Sequence, residues 1–145
     1  MKPLQLAALA ATLAFAGTAP AQTTIGGCAI APKASCAKAQ MKRAALANMD
    51  LSGADLSGAS LSGAKASGAK FVGANLQKTD FEAADLRRAD FSNANLRGAN
   101  LAGAEVSGAT WAGADLSGVQ FPSGMDNYGQ LLSRVCGEGS VGVCK

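Results

Sequence analysis

Few side chains in this chain could do chemistry. Its 145 residues hold four cysteines (Cys28, Cys36, Cys136 and Cys144), one adjacent arginine pair (Arg87, Arg88), scattered carboxylates, many serines and no histidine. Without histidine, the commonest general base and the commonest zinc ligand are missing. Serines such as Ser57, Ser62 and Ser67 therefore lack the usual activating partner. No catalytic residue, cofactor or metal ion is expected. The cysteines fall into two pairs, each eight positions apart, one pair near either end of the chain. An even count in an exported chain reads as disulfides, Cys28–Cys36 and Cys136–Cys144. A zinc site would need all four sulfurs in one place. A lipid anchor at Cys28 is the other alternative, because Ile25-Gly26-Gly27-Cys28 loosely resembles a lipoprotein cleavage site. Against it, polar residues from Thr18 to Thr24 separate that site from the apolar run, and Cys36 would lose its partner.

The first 21 residues carry the pattern of a secretory signal peptide. Met1-Lys2 supplies the positive start, Leu4 to Gly17 is apolar apart from Gln5 and Thr12, and Ala19-Pro20-Ala21 offers small residues before a cut ahead of Gln22. The apolar run is short for a span of ~30 Å of hydrocarbon. A cleaved leader and a periplasmic or secreted protein are expected, with no membrane span.

Composition argues against an ordinary globular domain. Aromatic residues make up 5% of the chain and glycine contributes 18 residues, which suits a repeat better than a mixed α/β core. The formal charge of +3 is mild and calls for no nucleic acid partner.

What must position these residues is a five-residue period. From Ala44 to Ser123 an apolar residue recurs at every fifth position: Leu46, Leu51, Leu56, Leu61, Ala66, Phe71, and so on to Leu116 and Phe121. A small residue, usually Ala, sits two places before it. A polar one such as Asp55, Asn75 or Asp85 sits one place before. Gly often sits two places after, as at Gly53, Gly58 and Gly63. A helix advances ~100° per residue, so this period makes no apolar face. A strand alternates faces, so an odd period would point successive apolar residues to opposite sides. The chain must turn once per repeat, with Gly permitting the corner. Repeats that cannot bury themselves must stack.

The run Ala54-Asp55-Leu56-Ser57-Gly58, echoed at Ala74-Asn75-Leu76, Ala84-Asp85-Leu86 and Ala94-Asn95-Leu96, resembles the pentapeptide-repeat family. The resemblance covers 80 of 145 residues. It implies an all-β fold, a right-handed quadrilateral parallel β-helix with twenty residues per coil and about four coils.

Stacking residues twenty apart gives four interior columns. One holds Leu51, Phe71, Phe91 and Trp111; the column opposite holds Leu61, Phe81, Leu101 and Phe121. Every aromatic of the tract falls in these two, and slimmer side chains fill the others. Outside, Lys65 should lie beside Asp85 and Lys70 beside Asp90, as cross-coil ion pairs. Asn75 and Asn95 should share amide hydrogen bonds. Arg87 and Arg88 form a candidate surface patch.

The expected organisation is therefore leader (1–21), N-terminal cap (22–43), solenoid (44–123) and C-terminal cap (124–145). Tyr128, Leu131, Leu132 and Val135 have the spacing of a short helical lid on the last coil. About four coils at ~4.8 Å keep the two cysteine pairs beyond the ~7 Å reach of a shared bridge.

The expected function is a non-enzymatic structural or protein-interaction module of the cell envelope, with an unknown protein partner. The resemblance supplies an alternative, since some family members mimic duplex DNA and protect DNA gyrase from quinolones. The basic charge and the leader disfavour it here.

Overall fold

The computed structural model describes residues 22–123. The leader, the helical lid and the Cys136–Cys144 pair lie outside these residues.

Each five-residue unit makes one side of a square and one corner. At the corner the N–H of the residue three places after the central one donates back to the central carbonyl, as from Ala59 to Leu56 (2.9 Å). The second corner residue always has positive φ, from Lys33 (59°) to Gly118 (67°). That combination is a type II turn. Repeated once per side, it brings the chain back over itself after twenty residues. Parallel bridges at that separation run from Ser35↔Asp55 to Asn100↔Gln120, one per side of the rod.

The backbone donors of a unit can be followed one by one. Within the unit around Leu56, Asp55 N–H donates to Ala34 one turn earlier (2.8 Å), while Leu56 and Gly58 donate to Asn75 and Gln77 one turn later (both 2.8 Å). Ala59 closes the corner. Ser57 alone has no neighbouring turn to donate to, and its N–H goes to Asp55 Oδ1 at 3.0 Å. The same contact recurs from Ser92 to Asp90, from Arg97 to Asn95 and from Ala102 to Asn100. Where an Asp or Asn precedes the central residue, it is thus the acceptor for the one backbone donor that stacking leaves over.

The repeat begins before Ala44, its expected first residue. Cys36 and Met41 occupy central, buried positions, and Ser35 and Gln40 already pair with the next turn. The expected cap segment Lys33 to Arg43 is itself coil. It escaped the five-residue signature because its central residues are Cys and Met, and Lys33, Lys38 and Arg43 stand where Gly is usual. What covers this end is smaller. Strands β1 (Thr24–Ile25) and β2 (Cys28–Ala29) form an antiparallel hairpin through Gly26-Gly27. A β-carbon at Gly26 would collide with the carbonyl of Gln40, so glycine allows the hairpin to sit on the coil. Buried Cys28 is bonded to buried Cys36, with Cα atoms 5.1 Å apart, and no described cysteine is free. The bond occupies the sulfur that a lipid would need.

Inside the rod, Leu51, Phe71 and Phe91 are fully buried in one column and Leu61, Phe81 and Leu101 in the opposite one. Trp111 is 4% exposed. Phe121, at the C-terminal end of the described rod, is only half-buried. Phe71, Phe91 and Trp111 stack nearly parallel, with centroids 5.1 and 4.6 Å apart. Phe81 meets Phe71 and Phe91 edge-on from across the rod, at 5.9 and 6.1 Å. The other two columns are narrow because these rings meet in the middle. One uncommon residue in the small position is Thr79, fully buried, whose hydroxyl donates to the Leu56 carbonyl at 2.8 Å.

Candidate interaction surface

The square cross-section leaves side chains on four flat sides and four edges. Arg87 and Arg88 lie on one of these edges, in an open notch of about 360 Å³ with Ser67 and Ser107. The notch exists because small residues lie one turn to either side. Ser67 and Ser107 flank Arg87, and Gly68 and Gly108 flank Arg88. Ser67 is tied down, since its hydroxyl donates to the Arg87 carbonyl at 3.1 Å.

The two arginines differ in electrostatic state. Arg87 Nε and Nη2 donate to Asp85 Oδ1 and Oδ2 at 2.8 and 2.7 Å, and Nε lies 3.5 Å from Glu105 Oε2. Hydrogen bonds from Arg87 hold the Asp85 carboxyl below its usual range, and Asp85 in turn raises Arg87. A bidentate pair of this kind is geometrically specific. Its charge is locally cancelled. Arg88 makes no such pair and is exposed. The patch is therefore one free guanidinium beside a neutralised one.

The expected cross-coil pairs resolve differently. Lys65 does sit beside Asp85, and Lys70 beside Asp90, in the bridge register. Neither forms an ion pair within 4.0 Å. The carboxylates lean along their own side of the rod, towards the backbone N–H two residues on, and so away from the lysines. The ion pairs that form use arginines, the third being Arg97 to Asp115 at 3.7 Å. Likewise Asn75 donates to Asp55 (3.2 Å) rather than sharing with Asn95, and Asn100 donates to Asp80 (3.1 Å). Among the described residues no cluster of three or more His, Cys, Asp or Glu side chains is placed to hold a metal ion. None of their helices is long and apolar enough to cross a membrane.

Comparison with known families adds the decisive observation. The family described as pentapeptide repeats matches in eight copies, over residues 39–77, 67–101 and 99–123. Together these stretches cover more than half of the chain. The chain belongs to the pentapeptide-repeat family. Its members are right-handed quadrilateral β-helices and in general non-enzymatic structural repeat proteins.

Several solved pentapeptide-repeat proteins are similar to it. One from the cyanobacterium Cyanothece 51142 is 39% identical over 57% of this chain and 52% of its own, with a TM-score of 0.49. The chain thus spans about half the length of that relative. A second, from Nostoc Pcc 7120, is 38% identical over 65% of this chain and 79% of its own, with a TM-score of 0.44. A third, from the Arabidopsis thaliana thylakoid lumen, is 34% identical over 67% of this chain and 72% of its own, with a TM-score of 0.40. No curated protein matches the chain.

Proposed function

We propose that this pentapeptide-repeat protein is an exported, non-enzymatic interaction module of the cell envelope, presenting a rigid rod of more than four coils to a protein partner. The observation that carries the reading is the buried Cys28–Cys36 disulfide, which ties the N-terminal hairpin to the first turn. Structural disulfides persist in oxidising compartments and are rare in the cytosol. The leader-like residues 1–21 point the same way. A non-enzymatic role follows from the convex rod. The notch at Arg87 and Arg88 is lined by arginines and serines, and the neighbouring Asp85 carboxylate is engaged by Arg87.

Cell fractionation with N-terminal sequencing tests export. The reading expects a mature chain beginning at Gln22 in the periplasm or medium, with no thiol that reacts before reduction. A full-length, fully reduced chain in the cytoplasm would overturn it. Crosslinking in the same fraction identifies the partner. The gyrase-protecting alternative demands a DNA-like acidic surface, whereas residues 22–123 carry ten basic and eight acidic side chains. A supercoiling assay with quinolone separates the two readings.

A further inference from the structure

The charge of the rod is graded along its axis. The first turn, residues 31–50, carries Lys33, Lys38, Lys42 and Arg43 against Asp50 alone. Residues 71–123 carry four basic side chains against six acidic ones. The gradient ends in a definite geometry. Lys33, Lys38 and Arg43 are the left-handed corner residues (φ 59°, 58° and 56°) of three successive sides of one turn, and Lys42 adjoins Arg43. All four are exposed, and none makes an ion pair. The hairpin residues 22–30, which cover this end, contain no charged side chain. A cationic collar therefore surrounds an uncharged tip.

We infer that the N-terminal turn docks end-on against an anionic phospholipid surface. Three corners of a square face three different directions. A linear polyanion lying along one side or edge of the rod would reach at most two of them. A plane perpendicular to the axis meets all of them at one level. Such a plane attracts the basic end and repels the acidic far half, so the gradient also sets the polarity of the standing rod. The stems of Lys33, Lys38 and Arg43 lie over Gly53, Gly58 and Gly63 of the next turn, so their long, exposed ends must swing back towards the plane on docking, as snorkelling side chains do. The contact does not depend on export, since it uses only residues of the folded rod.

Co-sedimentation of the full chain with vesicles tests this. Pure phosphatidylcholine measures any charge-independent contribution of the apolar leader. Vesicles with 30% phosphatidylglycerol measure the collar. The probes are the wild type, the collar variant K33Q/K38Q/R43Q and a control variant K65Q/K70Q/K78Q, which removes the same charge further along the rod. Each basic residue near such a surface contributes roughly fivefold in affinity, so the collar variant is expected to bind anionic vesicles about a hundredfold more weakly. The control should change by only a few-fold, and binding by the wild type should vanish at high salt. Melting curves establish that both variants fold. Equal losses in the two variants would reduce the effect to net charge and overturn the collar. So would unchanged binding of the collar variant, or collar-dependent binding to duplex DNA without binding to vesicles.

Discussion

Arg43 lies across Gly63, one turn further along the rod, with its Cγ 3.3 Å from where a β-carbon on the glycine would stand. The relationship is general. Lys38 covers Gly58, Lys78 covers Gly98 and Arg88 covers Gly108 in the same way. Down each corner column, side chains never follow one another directly, as in Asn48, Gly68, Arg88, Gly108. Glycine at a corner thus serves two ends. It accepts positive φ, and it makes room for the side chain that leans over from the previous turn.

The two roles separate experimentally. Gly73 has φ 63° with nothing within 4 Å of an added β-carbon, so Gly73→Ala should cost only the left-handed penalty, about 1–2 kcal/mol. Gly63→Ala should cost more, and Arg43→Gly should recover the excess. A double-mutant cycle by urea unfolding measures this coupling. Additive effects would show that Arg43 and Gly63 ignore each other.

Phe81 is the side chain on which the central stack closes. It lies edge-on to both Phe71 and Phe91 (76° and 83°) and is fully buried. Phe81→Ala should destabilise the rod by roughly 3–5 kcal/mol. Phe81→Leu should cost about 1–3 kcal/mol, because it keeps an apolar side chain but gives up some volume and both ring contacts. Thermal melts followed by circular dichroism would check the order. A Phe81→Leu protein as stable as the wild type would mean that the rings pack only as bulk.

An Asp or Asn before a central position is predicted to act through its acceptor oxygen rather than its charge. Asp90 Oδ1 takes the Ser92 N–H at 2.9 Å and the Ser92 hydroxyl at 2.6 Å. Asp90→Asn should leave stability within about 0.5 kcal/mol, and Asp90→Ala should lose about 0.5–1.5 kcal/mol. Chemical denaturation distinguishes the two. Equal losses would assign the effect to charge.

Stability should fall in acid. The carboxyls of Asp50 and Asp55 are held low chiefly by hydrogen bonds from Ser52 and Ser57, and that of Asp85 by hydrogen bonds from Arg87. At Asp115 burial pushes upward, but hydrogen bonds from Ser117 and the charge of Arg97 together outweigh it. A carboxyl lowered on folding stabilises the protein above its unfolded value and loses that contribution as pH drops through the folded one. The melting temperature should therefore be flat from pH 5 to 8, where no histidine titrates, and decline below about pH 4. A decline between pH 6 and 7 would contradict this assignment.

The five-residue period was legible because it is local chemistry repeated. A corner every five residues, with an apolar residue before it, has few physical solutions, and the aromatics at Phe71, Phe81, Phe91 and Trp111 sort into two columns once the resemblance supplies twenty residues per coil. The first turn was not legible in the same way. Cys36 and Met41 are apolar enough to sit inside but do not look like Leu or Phe, and Lys33, Lys38 and Arg43 do not look like Gly. Once neighbouring turns impose the corner, the neighbours' hydrogen bonds hold such residues in a conformation they would not choose alone.

By itself, then, the sequence determined the repeat and the residues that face inward, since one apolar residue per corner is what each unit can bury, while the twenty-residue stacking came from the resemblance to the pentapeptide-repeat family and is seen in the bridges twenty residues apart. Only the tertiary structure decided which polar groups meet. Asp85 turns to Arg87 and not to Lys65 because its carboxylate already leans towards the Arg87 N–H. The collar of Lys33, Lys38, Lys42 and Arg43 likewise exists only after three corners close into one turn. Charges spaced along a chain become a ring when the backbone brings them to one level.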